Sequence, residues 1–231
     1  MTRGKRDAKI KHACRAGLNA ASIQTEGAYA DMLLRLAVAA EYKGRGIGGH
    51  IMRVSDYSVA IGRSLGLSEC ELEILRYASM MHDIGKIGIP DFILKKRVSL
   101  TPREYKKIKE HTVIGGNIFS GSASPLVKAA AQVSLTHHEK YDGTGYPAGR
   151  KGDEIPLNGR IVALADNFDA ITSQRSYKSA FAFDKAVEMI KKGSDTFFDP
   201  KVVSAFLKIK DTIRDILDAN ITIEGFRKKA F

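Results

Sequence analysis

The sequence predicts an all-α fold. Strand-type alternation is almost absent, apolar residues recur at helical spacing in stretch after stretch, and local helix-start signals precede several of those stretches. Between Ala28 and Tyr42, residues Tyr29, Met32, Leu33, Leu36 and Ala40 fall on one helical face, and the glycine-rich run KGRGIGG (43–49) then breaks the pattern. A second helix is expected from about His50 to Leu65. Ser68 with Glu71 three residues later is a capping box for a third, carrying Leu72, Leu75, Ala78 and Ser79 and ending near HDIGK (82–86). Thr101 and Glu104 repeat that signal with Pro102 at the first helical position, for a helix that reaches His111 and extends toward Ile118. Ser124 and Pro125 open another, ending near HHE (137–139). The Gly- and Pro-rich stretch 140–156 is a long loop, and long loops inside compact domains tend to carry function. Leu157 to Ile171 reads as a buried helix. Phe183, Ala186, Val187 and Ile190 mark the next, stopped by Gly193. Asp199 and Pro200 start a last pair through Phe206, Ile209, Ile213 and Ile216.

The chain has 231 residues, 44% of them hydrophobic, enough for a core and against wholesale disorder. The expected organisation is a basic extension or linker over 1–27, one domain over 28–218 and a tail over 219–231. Cys14 and Cys70 are too few for a disulfide scaffold, which fits a reducing compartment. No apolar run approaches a membrane span and no signal peptide is apparent, so the expected location is cytoplasmic, with no membrane partner. Lys and Arg number 37 against 26 Asp and Glu, a formal charge of +11. That balance suits a phosphate-bearing ligand, nucleic acid or plain solubility. The basic residues of the tail show no nucleic-acid-binding spacing, so no nucleic-acid partner is expected.

The histidines are more informative than the charge. Five of the six, His50, His82, His111, His137 and His138, fall at expected helix ends, and Asp166 and Asp169 lie three apart on an apolar helix, facing roughly one way. Any one of them alone reads as an ordinary capping, surface or salt-bridged group. Their conjunction on segments such as ASMMHD and IVALAD is what carries weight, because buried ionisable groups are costly unless paired or bound to a cation. Imidazole with carboxylate suits Fe, Mn, Ni or Zn. Five His and two Asp exceed the ligand set of one ion and suffice for two if one carboxylate bridges. Two close metals stabilise the entering and leaving oxygens of a displacement at phosphorus, which points to phosphoester hydrolysis.

His50, HDIGKIGIPDFIL (82–94), His111, HHEKYDGTGYP (137–147) and RIVALADNFDAITSQRSYK (160–178) together resemble the HD-GYP domain, over roughly residues 28 to 218. The resemblance implies an HD-domain helical bundle with a GYP loop and extra C-terminal helices. It implies a metal-dependent phosphodiesterase that hydrolyses cyclic di-GMP to pGpG, GMP or both by metal-hydroxide attack. The implied metal ligands are His50, His82, Asp83, His111, His137, His138 and Asp166, with Asp83 bridging two divalent ions. Fe or Mn is the expected metal, and Ni and Zn are compatible. Lys86 resembles the phosphate-contacting lysine, a catalytic role shared with Asp83, and Arg175 and Lys178 resemble the substrate-side cations. Asp169 matches an acid that holds a His or Lys in place. Gly145, Tyr146 and Pro147 form the GYP signature, a substrate rim and a docking surface for GGDEF-domain or other signalling proteins. A homodimer is compatible, although residues 1–42 lack heptad regularity.

One position departs from the pattern. Some members bind a third metal through a Glu four residues before the first His, and that position is Gly46 here, without a ligand atom. A binuclear site is therefore expected. The glycines around it read as a helix-to-helix turn; their N–H groups or Arg45 reaching a substrate phosphate is the alternative. Gly46 also keeps open a catalytically weak nucleotide sensor or partner-binding domain. A di-iron HD oxygenase is the rival enzyme class, disfavoured by the set Lys86, Arg175 and Lys178.

Overall fold

The computed structural model describes residues 20–43, 49–96, 98–173 and 180–219, with side chains from residue 31 onward. Ten α-helices lie in these stretches: α1 Ala20–Lys43, α2 Gly49–Ser64, α3 Glu69–Met80, α4 Asp91–Leu94, α5 Pro102–Ile118, α6 Pro125–Thr136, α7 Leu157–Thr172, α8 Phe183–Lys192, α9 Pro200–Lys208 and α10 Lys210–Asp218. Two 3-10 turns, Ile84–Gly88 and Gly152–Glu154, complete the set. Among the described residues the only β pairing is an isolated bridge between Ser194 and Phe198, so the fold is all-α.

The helix starts follow local chemistry. Ser68 N donates to the Glu71 carboxylate at 2.8 Å while Glu71 N donates to Ser68 Oγ, closing the capping box of α3. Thr101 and Glu104 make the same exchange at α5, behind Pro102. Ser124 stands at the N-cap of α6 without a side-chain bond. Helix α1 begins at Ala20, ahead of the periodic stretch that starts near Ala28; AASIQTEGAYA is free of proline, so nothing interrupts the helix there.

The core lies where α2 packs on α3 and α7, and α6 packs on α3, α5 and α7. On α7 five consecutive residues, Ile161 to Ala165, are buried. The ring of Phe168 meets Tyr57 edge-on at 5.3 Å and Phe206 at 5.1 Å, tying α7 to α2 and α9. Each such fully buried ring contributes about 1.5–3 kcal/mol through burial alone. Helices α8 to α10 cover the far side of α2 and α7.

One short element places the chemistry. After α3 the chain turns through Ile84–Gly88, wedged between α1 and α5. A Cβ on Gly85 would lie 1.9 Å from the His111 carbonyl oxygen and 2.5 Å from Gly115 N, so only glycine permits this approach. Neither this turn nor α4 was expected, because each is too short to leave a periodicity. Among the described residues, no helix is long and apolar enough to cross a membrane.

Candidate metal centre

The seven residues expected as metal ligands converge from five elements. His50 sits at the start of α2, His82 and Asp83 follow α3, His111 lies on α5, His137 and His138 end α6, and Asp166 lies on α7. His111 is inside α5 rather than at its end, and Gly85 of the Ile84–Gly88 turn packs directly against its carbonyl.

Four of the five imidazoles are oriented through Nδ1. That atom bonds Ser79 O at 2.8 Å in His82, Ile108 O at 2.7 Å in His111, and Val133 O and Ser134 O at 3.0 and 3.1 Å in His137. In His50 it bonds Asp169 Oδ2 at 2.8 Å. A carbonyl or carboxylate oxygen only accepts, so Nδ1 carries the hydrogen and the Nε2 lone pair is free. The Nε2 atoms then face one another: those of His111 and His137 are 3.3 Å apart, two acceptors with no proton to share. Among the described residues, His82 Nε2 and Asp83 Oδ1 are buried without a hydrogen-bond partner. Converging lone pairs and orphaned buried acceptors are what a cation site requires.

Asp83 divides the ligands into two groups. Its Oδ2 is 3.3 Å from His82 Nε2, whereas its Oδ1 is 3.4 Å from His111 Nε2 and 3.8 Å from His137 Nε2. Ligand atoms of Asp83, His111, His137 and His138 lie within 4.8 Å of one another, as do those of His50, His82 and Asp83. Asp166 Oδ1 joins the second group at 3.4 Å from His50 Nε2 and 3.8 Å from His82 Nε2. One carboxylate thus faces two ligand pockets, the arrangement that two bridged ions need.

Electrostatics fit the same use. Burial pushes His137 well below the ordinary imidazole range and His138 down to about 4, keeping both neutral as ligands must be. Burial would push the Asp83 carboxyl up, but Lys86 and His82 outweigh it and hold it well below the carboxylate range. Burial opposes charge on His82, yet Asp83 and Asp166 raise it to about 9, so without a cation its Nε2 takes a proton that a metal ion would displace on binding.

Lys86 pairs with Asp83 Oδ2 at the edge of the centre. Asp169 is buried and accepts from His50 Nδ1 at 2.8 Å. It also accepts from Arg53 Nε at 2.5 Å and Nη2 at 3.0 Å. The GYP segment lies beside the centre: the Tyr146 ring is 4.8 Å from His138, and Lys109 Nζ stands 4.8 Å from the same ring. Buried Glu139 fixes this loop by accepting from Ala148 N and Arg150 N. A Cβ on Gly145 would come within 2.3 Å of Lys140 N. The Tyr146–Pro147 peptide is cis. Arg175, Lys178, Gly46 and Arg45 lie outside the described residues.

Two residues had no signal in the sequence. Arg53, one turn after His50, is the partner of Asp169. Glu41, near the end of α1, has a buried carboxylate oxygen with no hydrogen-bond partner among the described residues, in the field of His50, His82, Asp83 and Lys86.

An all-α bundle that turns histidine Nε2 atoms and two carboxylates onto a shared centre defines a class of helical, cation-binding domains. The chain belongs to the HD domain family, whose model matches residues 33–202. Its HD and GYP motifs put it with the HD-GYP type. It is 44% identical over 186 residues to a cyclic di-GMP phosphodiesterase of Thermotoga maritima, covering 80% of this chain and 50% of that one. It is 41% identical over 192 residues to a cyclic di-GMP phosphodiesterase of Vibrio cholerae, covering 78% and 39%. The fold matches the structure of a cyclic GMP-AMP-specific phosphodiesterase of V. cholerae with a TM-score of 0.64 at 23% identity, over 87% of this chain and 52% of that one. The chain spans about half the length of the curated relatives it matches.

Proposed function

We propose that this chain is a metal-dependent phosphodiesterase acting on cyclic di-GMP in the cytoplasm, with two divalent ions held by His50, His82, Asp83 and Asp166 on one side and Asp83, His111, His137 and His138 on the other. The observation that carries this reading is the division of Asp83, one oxygen toward His82 and the other toward His111 and His137. Relatives named for cyclic di-GMP hydrolysis support the substrate class.

Two divalent cations, Fe or Mn by preference, supply acidification of a water and neutralisation of phosphoryl charge. The residues do the rest. The Nδ1 bonds keep the imidazoles in the ligating tautomer, so no reorganisation is needed when charge develops. Lys86, already in the centre through Asp83, is within the reach of a phosphoryl oxygen bound there. Arg175 and Lys178 are proposed to bind the second phosphate, and Tyr146 to form the rim on which the dinucleotide rests. In-line departure of the 3′ oxygen gives linear pGpG, and a second cut gives GMP. The GYP loop is the proposed docking surface for GGDEF-domain or other signalling partners.

Incubating the full chain with Mn(II) or Fe(II) and cyclic di-GMP, with chromatography of the products, tests this directly. Appearance of pGpG or GMP, abolished with metal content in the His82→Ala, Asp83→Ala double variant, is the expected result. Binding of nucleotide without product would instead make the chain a sensor. Parallel reactions with cyclic GMP-AMP, the substrate named for the V. cholerae structure, assign preference.

A further inference from the structure

Glu41 is a half-buried acid with one fully buried oxygen that the seven ligands leave unexplained. It stands near the C-terminal end of α1, a helix pinned to the centre by Lys43, whose Nζ bonds the Ile87 carbonyl and lies 3.7 Å from Asp91. Helix α1 packs on the Ile84–Gly88 turn that follows Asp83. There Glu41 Oε2 is shut off from solvent and, among the described residues, has no hydrogen-bond partner. A carboxylate oxygen in that state costs several kcal/mol unless something positive or a donor faces it, roughly the penalty of an unpaired buried polar group. Burial pushes the carboxyl up, opposed by His50 and His82. Glu41 belongs to neither tight ligand group, so its oxygen stands back from the ligating atoms.

Charge explains why such an acid is useful. Two divalent cations bring four positive charges, and Lys86 adds a fifth. Asp83 and Asp166 return two negative charges, while Asp169 is already neutralised by Arg53. We propose that Glu41 is a positioning residue of the cation centre, adding a third carboxylate on the His50 side and accepting through Oε2 a hydrogen bond from a water on that cation. The proposal rests on the metal-centre reading above. It assigns the acid to α1, five residues ahead of Gly46, and acts on the two-cation site without adding a third ion.

The test uses Mn(II) alone with the full chain, read by chelator competition and metal analysis, so no substrate is needed. Wild type, Glu41→Gln, Glu41→Asp and His50→Ala are compared, with Glu41→Gln also placed in the His50→Ala background. Loss of an outer-shell partner typically lowers metal affinity about 10- to 100-fold, which is the expected loss for Glu41→Gln on the His50-side ion. Glu41→Asp should recover part of it. In the His50→Ala background, where that ion is gone, Glu41→Gln should leave the affinity of the remaining ion unchanged. Wild-type affinity in Glu41→Gln, or an equal loss in both backgrounds, overturns the proposal. So does a shift in the unfolding midpoint of the metal-free chain with unchanged Mn(II) affinity, which marks a purely structural Glu41. Wild type that binds no Mn(II) overturns the metal-centre reading itself, and the proposal with it.

Discussion

Replacing Asp169 with asparagine isolates the clamp on His50. Asp169 is 1% exposed and accepts from His50 Nδ1 at 2.8 Å, Arg53 Nε at 2.5 Å, Arg53 Nη2 at 3.0 Å and Ser173 Oγ at 3.2 Å. Asparagine keeps the shape, but one terminus becomes a donor. With its oxygen in the Oδ2 position it still serves His50 and Arg53 Nη2, and its NH2 then faces Arg53 Nε, donor against donor. Removing one partner of a buried ion pair costs about 3–5 kcal/mol. The Arg53 side chain is 20% exposed, so water recovers part of this, and the His50 bond survives. A loss of about 2–3 kcal/mol follows. At about 2–4 °C per kcal/mol for a chain of this size, thermal unfolding should move down by about 4–12 °C. Arg53→Met in the Asp169→Asn background should cost less than the sum of the singles, by roughly 1 kcal/mol or more, because the two share one interaction. Strict additivity, or a midpoint within 1 °C of wild type by about the same conversion, would refute the clamp.

Three further outcomes are expected. Glu139→Gln loses the bond to either Ala148 N or Arg150 N, since the amide nitrogen cannot accept; at about 1.5–3 kcal/mol for a bond to a charged group, hydrogen exchange at that amide should accelerate at least tenfold. Gly85→Ala places a methyl 1.9 Å from the His111 carbonyl, so a destabilisation of about 3 kcal/mol or more, or failure to fold, should be seen in denaturant titration. Glu104 is held down to about 2 by Lys96 and the Thr101 cap, against 4.5 for a free side chain. A carboxyl depressed in the folded state favours folding above its unfolded value, and that contribution disappears as pH falls through about 2. Carboxylate NMR should find Glu104 titrating near that value, and a value near 4.5 would show that the α5 cap is not formed in solution.

What was legible in the sequence was local. The starts of α3 and α5 were visible because a capping box is a bond between residues three apart. The extent of α1 was not, because helix continues through AASIQTEGAYA without an apolar stripe to announce it. The turn Ile84–Gly88 was invisible because its shape depends on Gly85 fitting beneath the His111 carbonyl, a contact with another helix. The ligand residues could be picked out as ionisable groups on apolar segments, but their grouping could not. Only coordinates show that Asp83 turns one oxygen to each pocket. Arg53 and Glu41 gave no signal because a single charged residue on a helix ordinarily faces water, and here each faces a buried acid or the centre.

The Nδ1 bonds explain why Asp169 has to exist. His82, His111 and His137 each take the carbonyl three residues behind, on Ser79, Ile108 and Ser134. For His82 and His137 these carbonyls belong to the last turn of α3 or α6, where the regular helical ladder ends; Ser79 O takes only a long 3.3 Å bond from His82 N, and a carbonyl keeps a second lone pair for a side chain. A histidine at a helix C-terminus is therefore oriented by its own helix. His50 is the second residue of α2, with no residue of that helix three positions behind it. Its Nδ1 needs an acceptor from elsewhere, and a neutral amide or hydroxyl could rotate to donate instead, leaving the tautomer undefined. A carboxylate cannot donate while ionised. Asp169 meets that condition: burial pushes its carboxyl up, but the bonds from His50 and Arg53, both on α2, hold it below the ordinary carboxylate range. Asp169→Ser, whose hydroxyl can donate, should therefore lower the Mn(II) affinity of the His50-side ion with or without Arg53→Met, and an unchanged affinity in either background would refute this reasoning.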